Sequence, residues 1–261
     1  MTMRMPVIFI GHGSPLTLEH PERFTQWQAW GQALPRPKAL LVISAHWETR
    51  PLMLGATQTQ PLVYDFYGFP ESYYRLQYPA PGAPALASRV KALLTQQGWE
   101  FGERPERGWD HGVWIPLLGL YPEADIPLLQ ISLPSHDAGQ LLALGELLAP
   151  LRDEGVLIIG SGLITHNLRQ WTPEGVVAPW AQAFDQWIEE RLVARDWDGL
   201  TRWAQAPGAR ESVPTPDHLL PLFVTLGASH PDDALSFPVN GFEFGSFSHR
   251  SVQLGTSETG R

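Results

Sequence analysis

Four short runs of almost unbroken apolar residues constrain this chain most: Pro6-Val7-Ile8-Phe9-Ile10, Ala39-Leu40-Leu41-Val42-Ile43, Ile126-Pro127-Leu128-Leu129-Gln130-Ile131 and Val156-Leu157-Ile158-Ile159. Each stops at Gly or Ser. Strands that are apolar on both sides need cover on both faces of the sheet, which parallel sheets obtain from crossover helices. Helical patterns do lie between the runs, over residues 22–33, 83–97, 113–121, 137–153, 179–194 and 216–226. Pro84, Pro179 and Pro216 fall where a first-turn proline is tolerated, and Asp137 and Thr215 fit N-cap positions. The expected fold class is therefore α/β: a single-domain layered α/β/α sandwich around a mostly parallel or mixed central sheet. Residues 235–254 alternate apolar residues with Gly, Asn and Ser, as strands at a sheet edge would, and the tail 256–261 is expected to fray.

At 261 residues the chain suits one large core, so residues 1–261 are read as one domain. A net charge of −9 speaks against tracking phosphates, and nucleic acid is set aside as a partner. With no Cys there is no disulfide, thiolate zinc site or cysteine nucleophile. No run approaches the ~20 apolar residues of a membrane span, and the first run is too short for a secretion signal. A cytoplasmic protein without a membrane partner is expected.

Any metal must then sit on His, Asp or Glu, and the nine histidines sort by context. His12 follows the first run directly, His46 lies three residues beyond the second, and His166 lies seven beyond the last. Ligands in open α/β sheets bind outside the carboxyl ends of the strands, where residues distant in sequence converge. Taken singly, such a His is more often a hydrogen-bonded structural residue, but the shared placement favours a common site. His111, in Trp109-Asp110-His111-Gly112, begins one helical pattern, and His218, in Thr215-Pro216-Asp217-His218, falls in the first turn expected for another. His20, His136, His230 and His249 lie among polar or turn residues and read as solvent-facing. The aromatic stretch 58–82, with Tyr64, Phe66, Tyr67, Phe69, Tyr73, Tyr74 and Tyr78, could wall a pocket or pack upon its own rings. Other chemistries lack their signatures: Gly160-Ser161-Gly162 is not a complete nucleophile elbow, and neither a Walker motif nor a dinucleotide fingerprint occurs.

The ordered motifs Gly11-His12-Gly13-Ser14-Pro15, Ser44-Ala45-His46-Trp47, Asp65-Phe66-Tyr67-Gly68-Phe69-Pro70, Tyr78-Pro79-Ala80-Pro81-Gly82, Asp110-His111-Gly112, His166-Asn167 and Pro214-Thr215-Pro216-Asp217-His218 span nearly the whole chain. In them the sequence resembles the class III extradiol ring-cleavage dioxygenases, the LigB-like superfamily, and within it the bacterial 4,5-DOPA extradiol dioxygenases. The resemblance implies a non-haem divalent metal held by His12, His46 and His218, with His166 as a further metal-proximal ligand or as catalytic base, and His111 touching substrate or oxygen. It implies a small catecholic substrate and O2, opened to a semialdehyde. Three departures from the pattern bear on substrate choice: Tyr64 for His, Leu163 for Asn and His249 for Met.

Iron(II) suits that turnover, while zinc competes strongly for imidazole and is expected in the isolated protein. Zinc is redox-silent, so the alternative on the same histidines is a zinc-dependent hydrolase or lyase using metal-bound water. A non-catalytic aromatic-binding or metal-storage protein is a third reading.

Overall fold

The computed structural model describes residues 4–170 and 176–255, so the expectation for the tail lies outside the described residues. In chain order the elements are β1 (Val7–Gly11), α1 (Pro21–Ala33), β2 (Ala39–Glu48), β3 (Leu52–Leu54), α2 (Pro84–Gln96), β4 (Phe101–Glu103), α3 (His111–Leu120), β5 (Leu128–Leu133), α4 (Ala138–Leu148), β6 (Val156–Gly162), α5 (Pro179–Val193), α6 (Trp197–Thr201), α7 (Ala209–Ser212), α8 (Leu220–Gly227), β7 (Leu235–Ser236), β8 (Phe242–Glu243), β9 (Phe247–Ser248) and β10 (Val252–Leu254). Eight strands form one mixed sheet in the order β4-β3-β5-β2-β6-β1-β10-β7. The four apolar runs are its parallel centre, β5-β2-β6-β1, and all four deliver their carboxyl ends to one edge.

Alternation along each central strand builds two cores. Val7, Phe9, Leu41, Ile43 and Ile158 pack with residues of α2, α4, α5 and α8, whereas Ile8, Ile10, Leu40, Val42 and Ile159 pack with residues of α1 and α3. Of the eleven Trp, Trp27, Trp109 and Trp114 are fully buried in the second core. No described helix is long and apolar enough to cross a membrane.

Pro84 and Pro179 open their helices as expected, and the Asp137 side chain caps α4 by accepting from Gln140 N–H. Three boundaries differ from expectation. The 137–153 pattern ends as a helix at Leu148 and continues as a 3-10 turn through Arg152, because Pro150 has no N–H for the α ladder. The last helix begins at Leu220, with Pro221 in its first turn, instead of at Pro216. His218 therefore lies in the turn before α8, where its carbonyl accepts from Leu163 N–H (2.9 Å) and pins that turn to the end of β6. Within 235–254 only β7 is a sheet edge: β10 pairs with β1, and β8–β9 is a separate hairpin.

Candidate metal centre

Five of the nine histidines meet at the carboxyl edge of the sheet. Ligand nitrogens of His12, His46 and His218 lie within 4.8 Å of one another. His111 joins them, its ring centroid 4.0 Å from that of His46, and His166 stacks on His218 at 3.6 Å. His12 follows β1 and donates its backbone N–H to Gly162 at the end of β6 (3.0 Å). The register of β2 against β5 shifts between Ile43 and Glu48, an irregularity of the kind that re-aims side chains next to active sites, and His46 lies within it. Room for the His46 ring comes from Gly112, where an added Cβ would stand 2.9 Å from His46 Cδ2.

The partners of the His12, His111 and His218 rings engage Nδ1 and leave Nε2 to face the site. Ser161 donates its one hydroxyl hydrogen to the Gly112 carbonyl, so its Oγ accepts from His12 Nδ1–H (2.9 Å). His218 Nδ1 donates to the Asp217 carboxylate. Asp65 serves two rings: Oδ1 accepts from His111 N–H (3.0 Å) and His111 Nδ1–H (2.8 Å), while Oδ2 stands 3.5 Å from His46 Nδ1. His12 and His46 turn their Nε2 atoms toward each other at 3.1 Å, where one ring donates to the other until an ion takes the place of that hydrogen. Nitrogens bound to one ion at about 2.1 Å stand about 3.0 to about 3.4 Å apart, so the spacing fits a shared divalent ion.

Burial, reinforced by the neighbouring rings, holds His12 and His46 well below the ordinary histidine value, in the neutral form that binds metals. Burial and then His218 press His166 down to about 2 against the opposing charge of Asp217, so it too carries a free lone pair. Burial works against the Asp65 charge, but the hydrogen bonds from His111 outweigh it and keep the carboxyl below its usual range. Beneath the site the fully buried Asp110 accepts from Ser44 Oγ (2.7 Å), Gln130 Nε2 (2.5 Å) and Arg107 Nη2 (3.3 Å), which ties the end of β2 to the start of α3.

The aromatic stretch does both things expected of it. Tyr64, Phe66, Phe69, Tyr73 and Tyr74 pack ring on ring, and the Phe66 ring meets His111 edge-on at 5.6 Å. The stretch thus walls one side of the cluster. Tyr64 spends its hydroxyl on the Leu76 carbonyl (2.6 Å).

His20, His136 and His230 are at the surface or half-exposed, but His249 is 1% exposed, which corrects its reading as solvent-facing. Its polar neighbours misled because each has a buried partner: Ser248 donates to Asp185, and Arg250 pairs with the same carboxylate (2.6 Å). His249 Nδ1 faces the Gly11 carbonyl (3.2 Å) and Nε2 faces Glu243 Oε2 (3.0 Å). Through these two contacts the ring braces the loop that carries His12. Gly13, at φ +73°, permits this approach, since a Cβ there would stand 2.6 Å from His249 Cε1. Replacing His249 with Ala leaves buried acceptors unpaired and should lower stability by about 2 kcal/mol in urea unfolding. His249→Gln, which keeps one donor, should recover part of that loss; equal losses in both variants would refute the brace.

Sequence reasoning assigned no role to Asp65 or Glu243. Asp65 was visible only as part of the Asp65–Pro70 motif, and Glu243 had no signal at all.

A mixed sheet with an imidazole cluster at its carboxyl edge defines a metal-dependent α/β enzyme, and the comparisons narrow the class. Residues 8–255 match the family described as the catalytic LigB subunit of aromatic ring-opening dioxygenase. Among curated relatives, 4,5-DOPA dioxygenase extradiol of Escherichia coli (strain K12) is 40% identical, with 97% of this chain and 95% of the relative covered. The protein of the same name from Beta vulgaris is 40% identical over 94% of this chain and 95% of its own length. The crystal structure of an uncharacterized Escherichia coli K12 protein superposes with a TM-score of 0.82 at 37% identity, covering 97% of this chain and 100% of that one. The chain belongs to the LigB family of aromatic ring-opening dioxygenases.

Proposed function

We propose that the protein is an extradiol dioxygenase that inserts O2 into the ring of a 4,5-DOPA-like catechol and releases a ring-opened semialdehyde. The observation that carries this reading is the His12, His46 and His218 triad, with the Nε2 atoms of His12 and His46 3.1 Å apart. These three are the ligand set. The names of the relatives supply the substrate class. The whole chain acts as one catalytic domain.

An iron(II) ion held by these residues would supply open positions for a chelating diol and for O2 and would relay to O2 the electrons that the catechol gives up. The remaining chemistry belongs to side chains. His166 takes a catechol hydroxyl proton once the anionic diol beside it offsets the burial and the His218 ring that hold its pKa down in the free protein, a contribution typically worth about 10²- to 10⁴-fold. His111, its Nδ1 hydrogen fixed by Asp65, offers Nε2 as the nitrogen that receives and returns a proton on the oxygen side. Phe66 and the rings behind it keep water from that side of the substrate. The reading places the protein in the cytoplasm, a reducing compartment in which iron(II) persists. Zinc binds the same imidazoles and accumulates during isolation without supporting turnover.

Anaerobic reconstitution with iron(II), followed by oxygen uptake on a panel of catechols, tests the proposal. Uptake at one O2 per ring opened is expected. No uptake with any catechol, together with hydrolysis by the zinc form, would replace it with the hydrolase reading.

A further inference from the structure

Beside the His12 loop lies a cavity of about 250 Å³, between the first turn of α1 and the β8–β9 hairpin. It is lined by charges of both signs, Glu243 and Arg23, together with His20, Thr17, Phe242 and Phe244. Among the described residues, two of its polar atoms are buried without a hydrogen-bond partner: Oε1 of Glu243, whose side chain is 10% exposed, and Oγ1 of Thr17, which is 1% exposed. Natural structures rarely leave such groups unmet, and an oriented ligand is one way of meeting them. His20 Nε2 stands 3.6 Å from Glu243 Oε1, beyond hydrogen-bond reach. Arg23 donates to Gln26 through Nη1 (3.0 Å) and keeps Nε and Nη2 for another acceptor.

The lining of the cavity touches the histidine cluster through two aromatic rings. Phe244, on its lining, meets Phe247 edge-on at 5.9 Å, and Phe247 stacks on His166 at 5.5 Å. Phe244 is also held at a conformational cost. The hairpin closes with Ser246 N–H donating to the Glu243 carbonyl (3.2 Å), and its central residues Phe244 and Gly245 have φ +50° and +68°. Asn or Gly takes the first of these positions readily, whereas a phenylalanine there is strained. The turn keeps an aromatic ring where turn chemistry alone would not select one.

We propose that this cavity is a substrate side-chain subsite that recognises the α-amino-acid end of a catechol whose ring lies at the histidine cluster. Glu243 Oε1 and the Thr17 hydroxyl accept from the ammonium group, Arg23 donates to the carboxylate, and Phe242 and Phe244 flank the methylene carbons. This inference rests on the catechol reading given under Proposed function.

Its test is made by calorimetry on the zinc-loaded protein, in which no turnover occurs. The probes are 3,4-dihydroxyphenylalanine, its amine-free analogue 3,4-dihydroxyphenylpropionate and its carboxylate-free analogue dopamine. Wild-type protein should prefer the amino acid to both analogues. Glu243→Gln should reduce the preference over the amine-free probe about tenfold, the scale of one charge-assisted hydrogen bond. Arg23→Gln should reduce the preference over dopamine by a similar factor. Because a disturbed His12 loop would weaken all three probes alike, the ratios, rather than the affinities, report the subsite. Arg23, at the half-exposed start of α1, carries the test alone if Glu243→Gln does not fold. Equal affinity of wild-type protein for the three probes, or ratios unmoved in the variants, overturns the subsite. Oxygen uptake by the iron form on the same probes separates the two ideas: uptake with unmoved ratios refutes only the subsite, and shifted ratios without uptake refute only the dioxygenase reading.

Discussion

His12→Ala and His46→Ala should each yield a folded protein that keeps no metal through dialysis and consumes no oxygen with any catechol. Structural zinc sites of four ligands bind with about 10–16 kcal/mol, so one imidazole contributes on the order of 2.5–4 kcal/mol, or two to three decades in affinity. The fold should survive, because neither ring belongs to the apolar cores that hold the sheet. His218→Ala should behave alike. His166→Ala is the informative contrast, since its ring groups with Asp217 and His218 and not with His12 and His46. As a base it should leave metal content near wild type while turnover falls by about 10²- to 10⁴-fold. Metal analysis after dialysis, paired with oxygen uptake, reads both outcomes. Full occupancy in His12→Ala or His46→Ala would remove those residues from the ligand set, and metal loss in His166→Ala would make His166 a ligand.

The parts of this site that were legible in the sequence are those encoded locally. An apolar run that stops at Gly11 fixes both a strand end and the place of His12, and Ser44-Ala45-His46 does the same for β2. Elements placed by partners distant in sequence were not legible. His249 lies between Ser248 and Arg250, a surface-like context, yet Gly11 and Glu243 bury its ring and Asp185 buries its neighbours. Asp65 comes from an aperiodic loop, and only the fold shows that it holds His111 and approaches His46. The start of α8 was misplaced because two prolines, Pro216 and Pro221, each fit a helical first turn, and propensity cannot choose between them. The pairing of His218 O with Leu163 N–H decides for the second.

Acid should unfold the metal-free protein unusually early, through the same histidines. His12, His46 and His166 have folded-state pKa values below the ordinary value of about 6.5 that they recover on unfolding. Above that value neither state binds the protons, and the full stability is present. As pH falls below it the unfolded chain takes up protons that the folded protein refuses, so stability is lost. Each histidine contributes a slope of about 1.4 kcal/mol per pH unit, and the three together approach about 4. A domain with ~5–15 kcal/mol of stability would then unfold within two or three units of neutrality. Asp65 and Asp217, whose folded values are depressed, act at lower pH: their stabilisation is present above the ordinary carboxylate value near 4 and fades only below it. Urea unfolding of chelator-treated protein at pH 7.5, 6.5 and 5.5 should show the steep loss, and His166→Asn should flatten it by about a third. A bound divalent ion requires neutral imidazoles, so the metal-loaded protein should be more stable at pH 7.5 and should release its ion over the same interval. A metal-free profile that stays level from pH 7.5 to 5.5 would mean that these rings are hydrated and open to protons, and the tight, neutral cluster on which the metal site depends would not exist in solution.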